Sequence, residues 1–332
     1  MNINIQQCVA ISPQQTFGTN KFFENLPTVQ NEDETLHAIE PNYKELITDA
    51  TLRRRMSRII KMGVSASLQC IKESGIMPNE VITATGMGNM TDTERFLKCV
   101  IDQEEQLLNP SYFIQSTGNT FGGQTGLMIH SHGYNVTYVH GGFSFESALL
   151  DAILHIEDGD EDNTIVTAAD EITDLEFNAM KKMGFWRNGN KMGEGAQSFM
   201  LGEGVNNNHI ASVVGLRVLK SPIGTENIKN ALTEILEENQ LKISDINYLL
   251  SGQECHKEVL DYLKEEIKEE SDYKKWCGHY QTASSFGTWM GAQMLKNQVV
   301  PTEDGWSKRN LNYILIYSEY RANDYSLILL KK

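Results

Sequence analysis

The sequence predicts an α/β fold in which a mainly parallel sheet is covered by helices. Short β-branched runs alternate with longer amphipathic stretches over the first half of the chain, in the order β-α-β-α-β-α-β. The second half restates that order without a literal sequence repeat. The length of 332 residues suits two domains or one large duplicated domain. The pattern therefore favours two halves of similar topology.

Each element follows from a local pattern. The stretch from Glu45 to Gly75 carries apolar and small residues at helical spacing and ends at a glycine, a common helix stop. Residues 81–85 form a β-branched run that enters a tight loop at Gly86, as a buried strand does. Thr91 and Glu94 resemble a capping box that opens the next helix. The other predicted strands cover residues 135–139, 164–168, 210–219, 248–250, 313–317 and 325–330, and the other helices cover 119–130, 143–156, 225–240, 254–269 and 288–297.

The composition limits the function classes. The chain has 44 acidic and 29 basic side chains, a formal net charge of −15 and a pI near 5.0. Phosphate backbones need a basic protein face, so nucleic acid is excluded as the main partner. Five scattered cysteines without a CxxC pair predict neither a zinc site nor a disulfide framework, and no motif predicts a metal or a cofactor. No leader-like start and no run of about 18 apolar residues is present, so we expect a cytoplasmic protein without a membrane span.

The most informative stretch runs from Gly133 to Ala152. It reads GYNVTYVHGGFSFESALLDA, in which a strand enters a glycine pair and continues directly into a helix. A side chain at such a turn lies where helix N–H groups and the positive dipole end lower the pKa of a nucleophile and stabilise an oxyanion. The pattern predicts a nucleophile elbow, or the remains of one.

This stretch resembles the nucleophile elbow of the β-ketoacyl-acyl carrier protein synthases, members of the thiolase-like superfamily. Their elbow reads G-P-N-Y-T-V-S-T-A-C, followed by a helix with Asp-Ala at a fixed distance. Without a gap, the match puts Gly142 where the family has its catalytic cysteine. The matching residues are Gly133, Asn135, Thr137, Asp151 and Ala152.

Further segments resemble family motifs in the same chain order. The matching residues are Asn119, Gly123 and Gln124; Glu171; Gly193, Glu194, Gly195 and Ala196; Asp245, Ile246 and Tyr248; and Thr282, Ser284, Gly287, Gly291 and Ala292. The resemblance implies a thiolase-like fold of two β-α-β-α-β-α-β-β halves, residues 1–205 and 206–332, stacked in α-β-α-β-α layers. It also implies a dimer that forms through the strand before the elbow and the helix region at Asn119.

The catalytic positions depart from the family. The condensing enzymes use a cysteine as acyl acceptor and two histidines in thioester activation and decarboxylation. Here those positions are Gly142, Gly252 and Thr288, and a family lysine position is Ala283. The resemblance therefore implies a catalytically deficient homologue that acts like a chain length factor beside an active ketoacyl synthase, in fatty-acid or polyketide-type biosynthesis. The amino-acid sequence around the elbow is similar to that of ketoacyl-synthase-like proteins from bacterial gene clusters for aryl-polyene or flexirubin-type pigments.

A second hypothesis keeps catalysis. Ser144 could act as a displaced nucleophile with His140 as base, or a displaced histidine, His140 or His256, could take the catalytic role; either would make the protein an acyltransferase or thioester hydrolase. The alternative for Ser144 is a serine that satisfies N–H groups of the first helical turn. Cys255 beside His256 is a weaker Cys/His pair, because adjacent helical residues point about 100° apart. The elbow residues Gly141, Phe143 and Phe145 would line or fill the acyl pocket, and we favour packing for the two phenylalanines.

A third hypothesis is a non-catalytic module that binds acyl carrier protein. Arg53, Arg54, Arg55 and Arg58 form a basic face on an otherwise acidic chain, and carrier proteins are strongly acidic. The alternative is that these arginines pair with acids of the same fold or across a dimer. The partners expected from the sequence are therefore a second copy or an active ketoacyl synthase, and an acyl carrier protein.

Overall fold

The structure of the protein is a computed structural model that describes residues 2–19, 21–24, 34–160, 162–186, 189–203, 209–220, 224–252, 257–321 and 323–332. The strands are β1 (Ile3–Ile11), β2 (Thr35–Leu36), β3 (Glu80–Ala84), β4 (Asn135–Tyr138), β5 (Asn163–Asp170), β6 (Met192–Gly193), β7 (Gly195–Gly202), β8 (Ala211–Lys220), β9 (Tyr248–Gly252), β10 (Glu270–Asp272), β11 (Val299–Thr302), β12 (Gly305–Lys308), β13 (Tyr313–Tyr320) and β14 (Asp324–Lys331). The helices are α1 (Lys21–Glu24), α2 (Ala50–Arg55), α3 (Arg58–Ser74), α4 (Met90–Asp102), α5 (Pro110–Ser116), α6 (Thr120–Met128), α7 (Ser144–Glu157), α8 (Asp174–Met183), α9 (Thr225–Glu238), α10 (Lys257–Glu266), α11 (Lys274–Cys277) and α12 (Ala283–Asn297).

The strand order shows the duplication directly. The large sheet runs β10-β9-β13-β14-β8-β1-β7-β5-β3-β4. Read outward from its centre, β1-β7-β5-β3-β4 in one half corresponds strand for strand to β8-β14-β13-β9-β10 in the other. Three antiparallel residue pairs between β1 and β8 join the halves. The boundary predicted between residues 205 and 206 falls outside the described residues and stays a prediction.

The expectation of a mainly parallel sheet is wrong. The outer strands β4, β3 and β5 run parallel, as do β10, β9 and β13. Towards the centre, β7 and β1 pair antiparallel, and so do β14 and β8. The short turn between β13 and β14 makes a hairpin, which can only join antiparallel strands. The result is a mixed sheet in both halves.

The predicted α-β-α-β-α layers are confirmed by how the apolar faces are covered. One core lies between the two sheet halves and includes the apolar faces of α7 and α12. A second core packs α9 and α10 on the outer face of the C-terminal half, and two smaller ones pack α3 and α6 on the outer face of the N-terminal half. Because side chains alternate along a strand, Leu327 and Leu329 of β14 face the outer core while Ile328 and Leu330 face the inner one.

Local signals misplaced some helix boundaries. The single helix predicted from Glu45 to Gly75 is two helices, because Ser57 starts α3 with an extended backbone directly after α2. The predicted capping box at Thr91 is also wrong: the Thr91 N–H donates to Oε1 of Glu171 at 3.0 Å, a residue 80 positions away. The helix predicted to begin at 288 begins five residues earlier, as α12. In the parts of the chain that the structure describes, no helix is long and apolar enough to cross a membrane.

Candidate functional site

The predicted elbow is formed as a strand–turn–helix junction. β4 ends at Tyr138, residues Gly141–Phe143 make one 3₁₀ turn, and α7 begins at Ser144. Gly141 has a φ of +61°, in the left-handed region where a side chain would be strained. The N-terminal N–H groups of α7 and the positive end of its dipole therefore meet at this turn.

The position that the resemblance assigns to the nucleophile has no room for a side chain. Gly142 is buried, and a Cβ atom on it would lie 2.7 Å from Cβ and Cδ1 of Tyr320 and 2.9 Å from Oδ2 of Asp324. Burial raises the pKa of Asp324, while Lys220 and a hydrogen bond from the backbone N–H of Gly142 oppose the rise. A carboxylate of the protein itself thus engages the elbow N–H.

The positions matched to the family histidines are closed as well. Gly252 ends β9, and a Cβ atom on it would overlap the hydroxyl group and ring of Tyr273. Tyr273 is fully buried, and its Oη lies 2.7 Å from Oγ of Ser318. Thr288 lies inside α12, where its hydroxyl donates to the carbonyl of Ser284 at 2.9 Å. The ring of Tyr273 therefore takes the space that a side chain at residue 252 would need.

Little space remains at the elbow. A cavity of about 10 Å³ lies beside Gly142, Phe143 and Tyr273. That is no larger than the space needed by one water molecule. Phe145 is fully buried and its ring lies 5.4 Å from that of Phe199. We call this cavity and the residues around Gly142 the elbow cavity.

Ser144 and His140 do not form a nucleophile–base pair. The Ser144 hydroxyl accepts from the backbone N–H of His140 at 2.8 Å and donates to the carbonyl of Gly141 at 2.9 Å. The His140 imidazole is exposed and its Nδ1 lies 3.1 Å from Oγ of Ser147 instead. The serine therefore ties the turn to the helix start, and its proton has an acceptor other than the imidazole.

Three buried cysteines among the described residues offer no activated thiol. Burial raises the pKa of Cys8 to about 12 and raises the pKa of Cys70 and Cys277 as well. Since the thiolate is the nucleophile, these thiols are unreactive at neutral pH. Cys99 is half-buried. The suggested pair Cys255 and His256 lies outside the described residues.

The arginine face divides into engaged and exposed members. Arg58 makes a forked ion pair with the buried Glu194 and a second ion pair with Glu40. The Arg53 guanidinium donates to backbone carbonyls before α2. Arg54 and Arg55 are exposed at the end of α2, with Arg54 donating to the carbonyl of residue 50. Only the last two present charge outward in the way a docking surface needs.

Comparison with known proteins decides the family. The family model described as the β-ketoacyl synthase N-terminal domain matches residues 30–200, just over half of the chain. The chain belongs to the β-ketoacyl synthase family. No curated protein matches it.

Solved structures agree with this family in their fold. The ishigamide ketosynthase/chain length factor has a TM-score of 0.81 at 14% identity, over 100% of this chain and 99% of that one. A β-ketoacyl synthase from Burkholderia phymatum also scores 0.81, at 13% identity and the same coverage. A type II polyketide synthase acyl-carrier protein in complex with its ketosynthase bound to the hexaketide scores 0.79 at 13% identity, with 99% of each chain covered. At such identities the likeness shows the thiolase-like fold.

Sequence reasoning missed two buried carboxyl groups of this ketoacyl-synthase fold. Asp170 ends β5 and accepts from Thr85 Oγ1 and Gly86 N with one oxygen, and from the N–H and hydroxyl of Thr282 with the other, at 2.7–3.0 Å. It thereby ties the ends of β3 and β5 to the start of α12. Only its place after a buried strand could have signalled this role.

Glu146, on the first turn of α7, is the second missed group. Its Oε1 accepts from Oγ of Ser326 at 2.7 Å, and its Oε2 has no hydrogen-bond partner among the described residues. Burial raises the pKa of Glu146, and the nearby Asp324 adds to the rise. Nothing in the local sequence distinguishes Glu146 from an exposed helix residue, because its burial depends on β14.

Proposed function

We propose that this protein is a catalytically deficient ketoacyl-synthase homologue that acts as a chain-length-factor-like partner of an active condensing enzyme. The observation that carries the proposal is the closed elbow: the Cβ position of Gly142 is taken by Tyr320 and Asp324. The proposed pathway class is fatty-acid or polyketide-type biosynthesis, with the pigment-cluster resemblance as its narrower form.

Chemistry supports the absence of condensation. Covalent acyl transfer needs a nucleophile whose proton a base can take. Glycine supplies none at 142, and Tyr273 fills the space beside Gly252. The Ser144 hydroxyl is held by the backbone on both sides. A hydrolase that uses Ser144 would need the turn to rearrange before the first step.

A partner surface is available beside the elbow. β4 is an edge strand of the large sheet, and such an edge presents unpaired N–H and C=O groups that favour pairing with another chain. Exposed apolar side chains lie next to β4, on α6, which packs against β4, and on α5 and α4, which follow one another beyond α6; they are Leu97, Ile101, Phe113, Ile114, Leu127 and Val139. Several exposed apolar side chains on adjoining elements mark an interaction site. We define β4 and these side chains as the edge surface and propose that the partner subunit binds there.

Co-purification tests the partner role. The chain is co-expressed with a cysteine-bearing ketosynthase encoded alongside it, and the pair is isolated through a tag on one subunit. We expect a one-to-one complex that Leu127→Glu weakens, since Leu127 is 70% exposed on α6. Leu175→Glu is the matched control, because Leu175 is 62% exposed on α8, outside the edge surface. If the chain associates with itself and does not bind the ketosynthase, the heterodimer is contradicted and the homodimer is supported. If the chain is a monomer, both are contradicted.

Carrier-protein docking is the second part of the proposal. It depends on Arg54 and Arg55, whose exposed guanidinium groups would attract an acidic carrier protein at low ionic strength. Charge reversal of both should weaken carrier binding, measured by calorimetry at low salt. Equal affinities of the variant and the parent would rule out docking at α2.

A further inference from the structure

A cleft of about 350 Å³ lies where β1 meets the end of α3 and one face of α12. Pockets for drug-sized ligands usually hold roughly 300–1,000 Å³, so this one suits a small molecule. None of the residues that line it belongs to the elbow cavity or to the edge surface. We call it the α12 cleft.

The wall from α12 has an apolar floor and a polar rim. Trp289, Gln293 and Lys296 line the cleft at a spacing that places them on one face of the helix. The ring of Trp289 lies 5.7 Å from that of Phe23, which also lines the cleft. The Trp289 side chain is 4% exposed, and its indole N–H donates to no group of the described residues. This N–H is therefore available to an acceptor on a ligand.

The cation of the cleft is Lys296, in the last turn of α12. Its side chain is exposed and forms neither a hydrogen bond nor an ion pair within the part of the chain that the structure describes. A lysine ammonium group has three N–H donors, and none of these is engaged here. A carboxylate that enters the cleft can accept from them in charge-assisted hydrogen bonds.

The anion of the cleft is Glu73, near the end of α3. Its Oε2 accepts from Nε2 of Gln7 at 3.1 Å, and its Oε1 accepts from Nε2 of Gln69 at 2.6 Å. The two amides hold the carboxylate in place without neutralising its charge. A carboxylate has about four lone-pair sites, so about two stay open to a further donor.

The two charges face the same space without pairing with each other. Burial raises the pKa of the Cys8 thiol, which lines the cleft; the charge of Lys296 opposes this rise and that of Glu73 adds to it. Both charges are therefore felt at one point of the wall. The cleft thus offers one positive and one negative group to a single ligand.

We propose that the α12 cleft binds a small zwitterionic α-amino acid, with its carboxylate on Lys296 and its ammonium group on Glu73. An apolar side chain of the ligand would lie against Trp289 and Phe23. The binding is non-covalent. It is independent of the proposed partner role, because it uses neither the elbow cavity nor the edge surface.

Calorimetry on the full-length protein at low ionic strength tests the site with three ligands of similar size. L-Alanine carries both charges, propionate carries the carboxylate alone and ethylamine carries the ammonium group alone. We expect saturable one-to-one binding of L-alanine with a Kd of about 1 mM or lower. Propionate and ethylamine should each bind at least about tenfold more weakly, since each loses one charge-assisted contact.

Two variants separate the two charges. Lys296→Gln and Glu73→Gln should each weaken L-alanine binding by about tenfold, and both residues are exposed, so we expect both variants to fold. Lys72→Gln is the matched control, because Lys72 is exposed on α3 beside Glu73 but does not line the cleft. It should leave binding unchanged.

Three results would overturn the proposal. The first is the absence of saturable L-alanine binding at tens of millimolar. The second is binding of propionate or ethylamine as tight as that of L-alanine. The third is equal affinity for L-alanine in the parent chain and in folded Lys296→Gln.

Discussion

The two cavities that share Tyr320 differ in how far side chains fill them. The elbow cavity holds about 10 Å³ and is closed by the side chains of Tyr273, Tyr320 and Asp324. The second cavity, which is lined in part by Phe185, Trp186, Tyr280 and Tyr320 and is called the aromatic cavity, holds about 250 Å³. If loss of catalytic residues had simply left a hole, the elbow would be the larger of the two. The elbow is instead filled by side chains, which a stable fold favours because voids lose dispersion contacts.

The largest effect is expected from removing the carboxylate of Asp170, which lies next to both cavities. Asp170 holds Thr282, whose neighbours Gln281 and Ala283 line the elbow cavity. Asp170→Ala leaves buried N–H groups of Gly86 and Thr282 without an acceptor, and we expect a loss of about 3–5 kcal/mol in the free energy of unfolding. Urea denaturation measures it, with Asp170→Asn as a milder control. A loss below about 1 kcal/mol would contradict this stabilising role of Asp170.

The next effect tests directly whether the elbow is closed. Gly142→Ala adds one methyl group against Cβ of Tyr320, which cannot move without the backbone, so we expect a loss of about 1–3 kcal/mol. Gly123→Ala is the matched control: Gly123 lies in α6, and apart from its chain neighbours and the backbone of its own helix no atom lies within 4 Å of its Cβ position. In a helix this change should stabilise by up to about 1 kcal/mol. Equal effects of the two substitutions would show that the elbow has room.

The smallest expected effect concerns the pH dependence of stability. Each cavity has one buried glutamate beside it, and the two should contribute differently. Burial raises the pKa of Glu146 beside the elbow and of Glu176 in the aromatic cavity. An acid with a raised pKa in the folded state contributes stability in full below its unfolded pKa, and this is lost as the pH rises through the folded value. Glu146→Gln should therefore flatten the fall in stability that occurs as the pH rises above the ordinary pKa of a glutamate, about 4.3. Thermal unfolding measured over a series of pH values above about 4 tests it.

Glu176→Gln is the comparison for that experiment. Glu176 is 8% exposed against 1% for Glu146, and the Arg321 charge opposes the rise in its pKa. We expect a smaller change in the pH profile. A profile that Glu146→Gln leaves unaltered would mean that its carboxyl group is solvated in the folded state.

The sequence predicted the fold and the elbow because both depend on local or ordered patterns. The strand–glycine–helix junction at 133–152 and the chain order of the motifs were visible without coordinates. The side chains that fill the elbow were not visible in the sequence, because Tyr320 and Tyr273 reach it from elements far along the chain. The same holds for Glu171, which binds the N-terminus of α4 in place of the predicted capping box. Long-range packing decides such contacts, and spacing along the chain does not encode them.

The aromatic cavity illustrates the same limit. Phe185 and Trp186 lie in a short, turn-rich segment whose sequence predicts only a loop. Nothing in the sequence around Arg321 distinguishes it from the other arginines. Their proximity arises because the hairpin turn between β13 and β14 meets the end of α8 in the folded chain. Charge counting along the sequence therefore pointed to α2 and could not point to this arginine.

The most direct test of the closed elbow is the intact mass of the protein after incubation with an acyl thioester. We expect an unchanged mass for the parent chain at neutral pH, because Gly142 has no nucleophile and the Ser144 hydroxyl is held by Gly141 and His140. A stoichiometric acyl adduct that disappears in Ser144→Ala would contradict it and establish a displaced catalytic site.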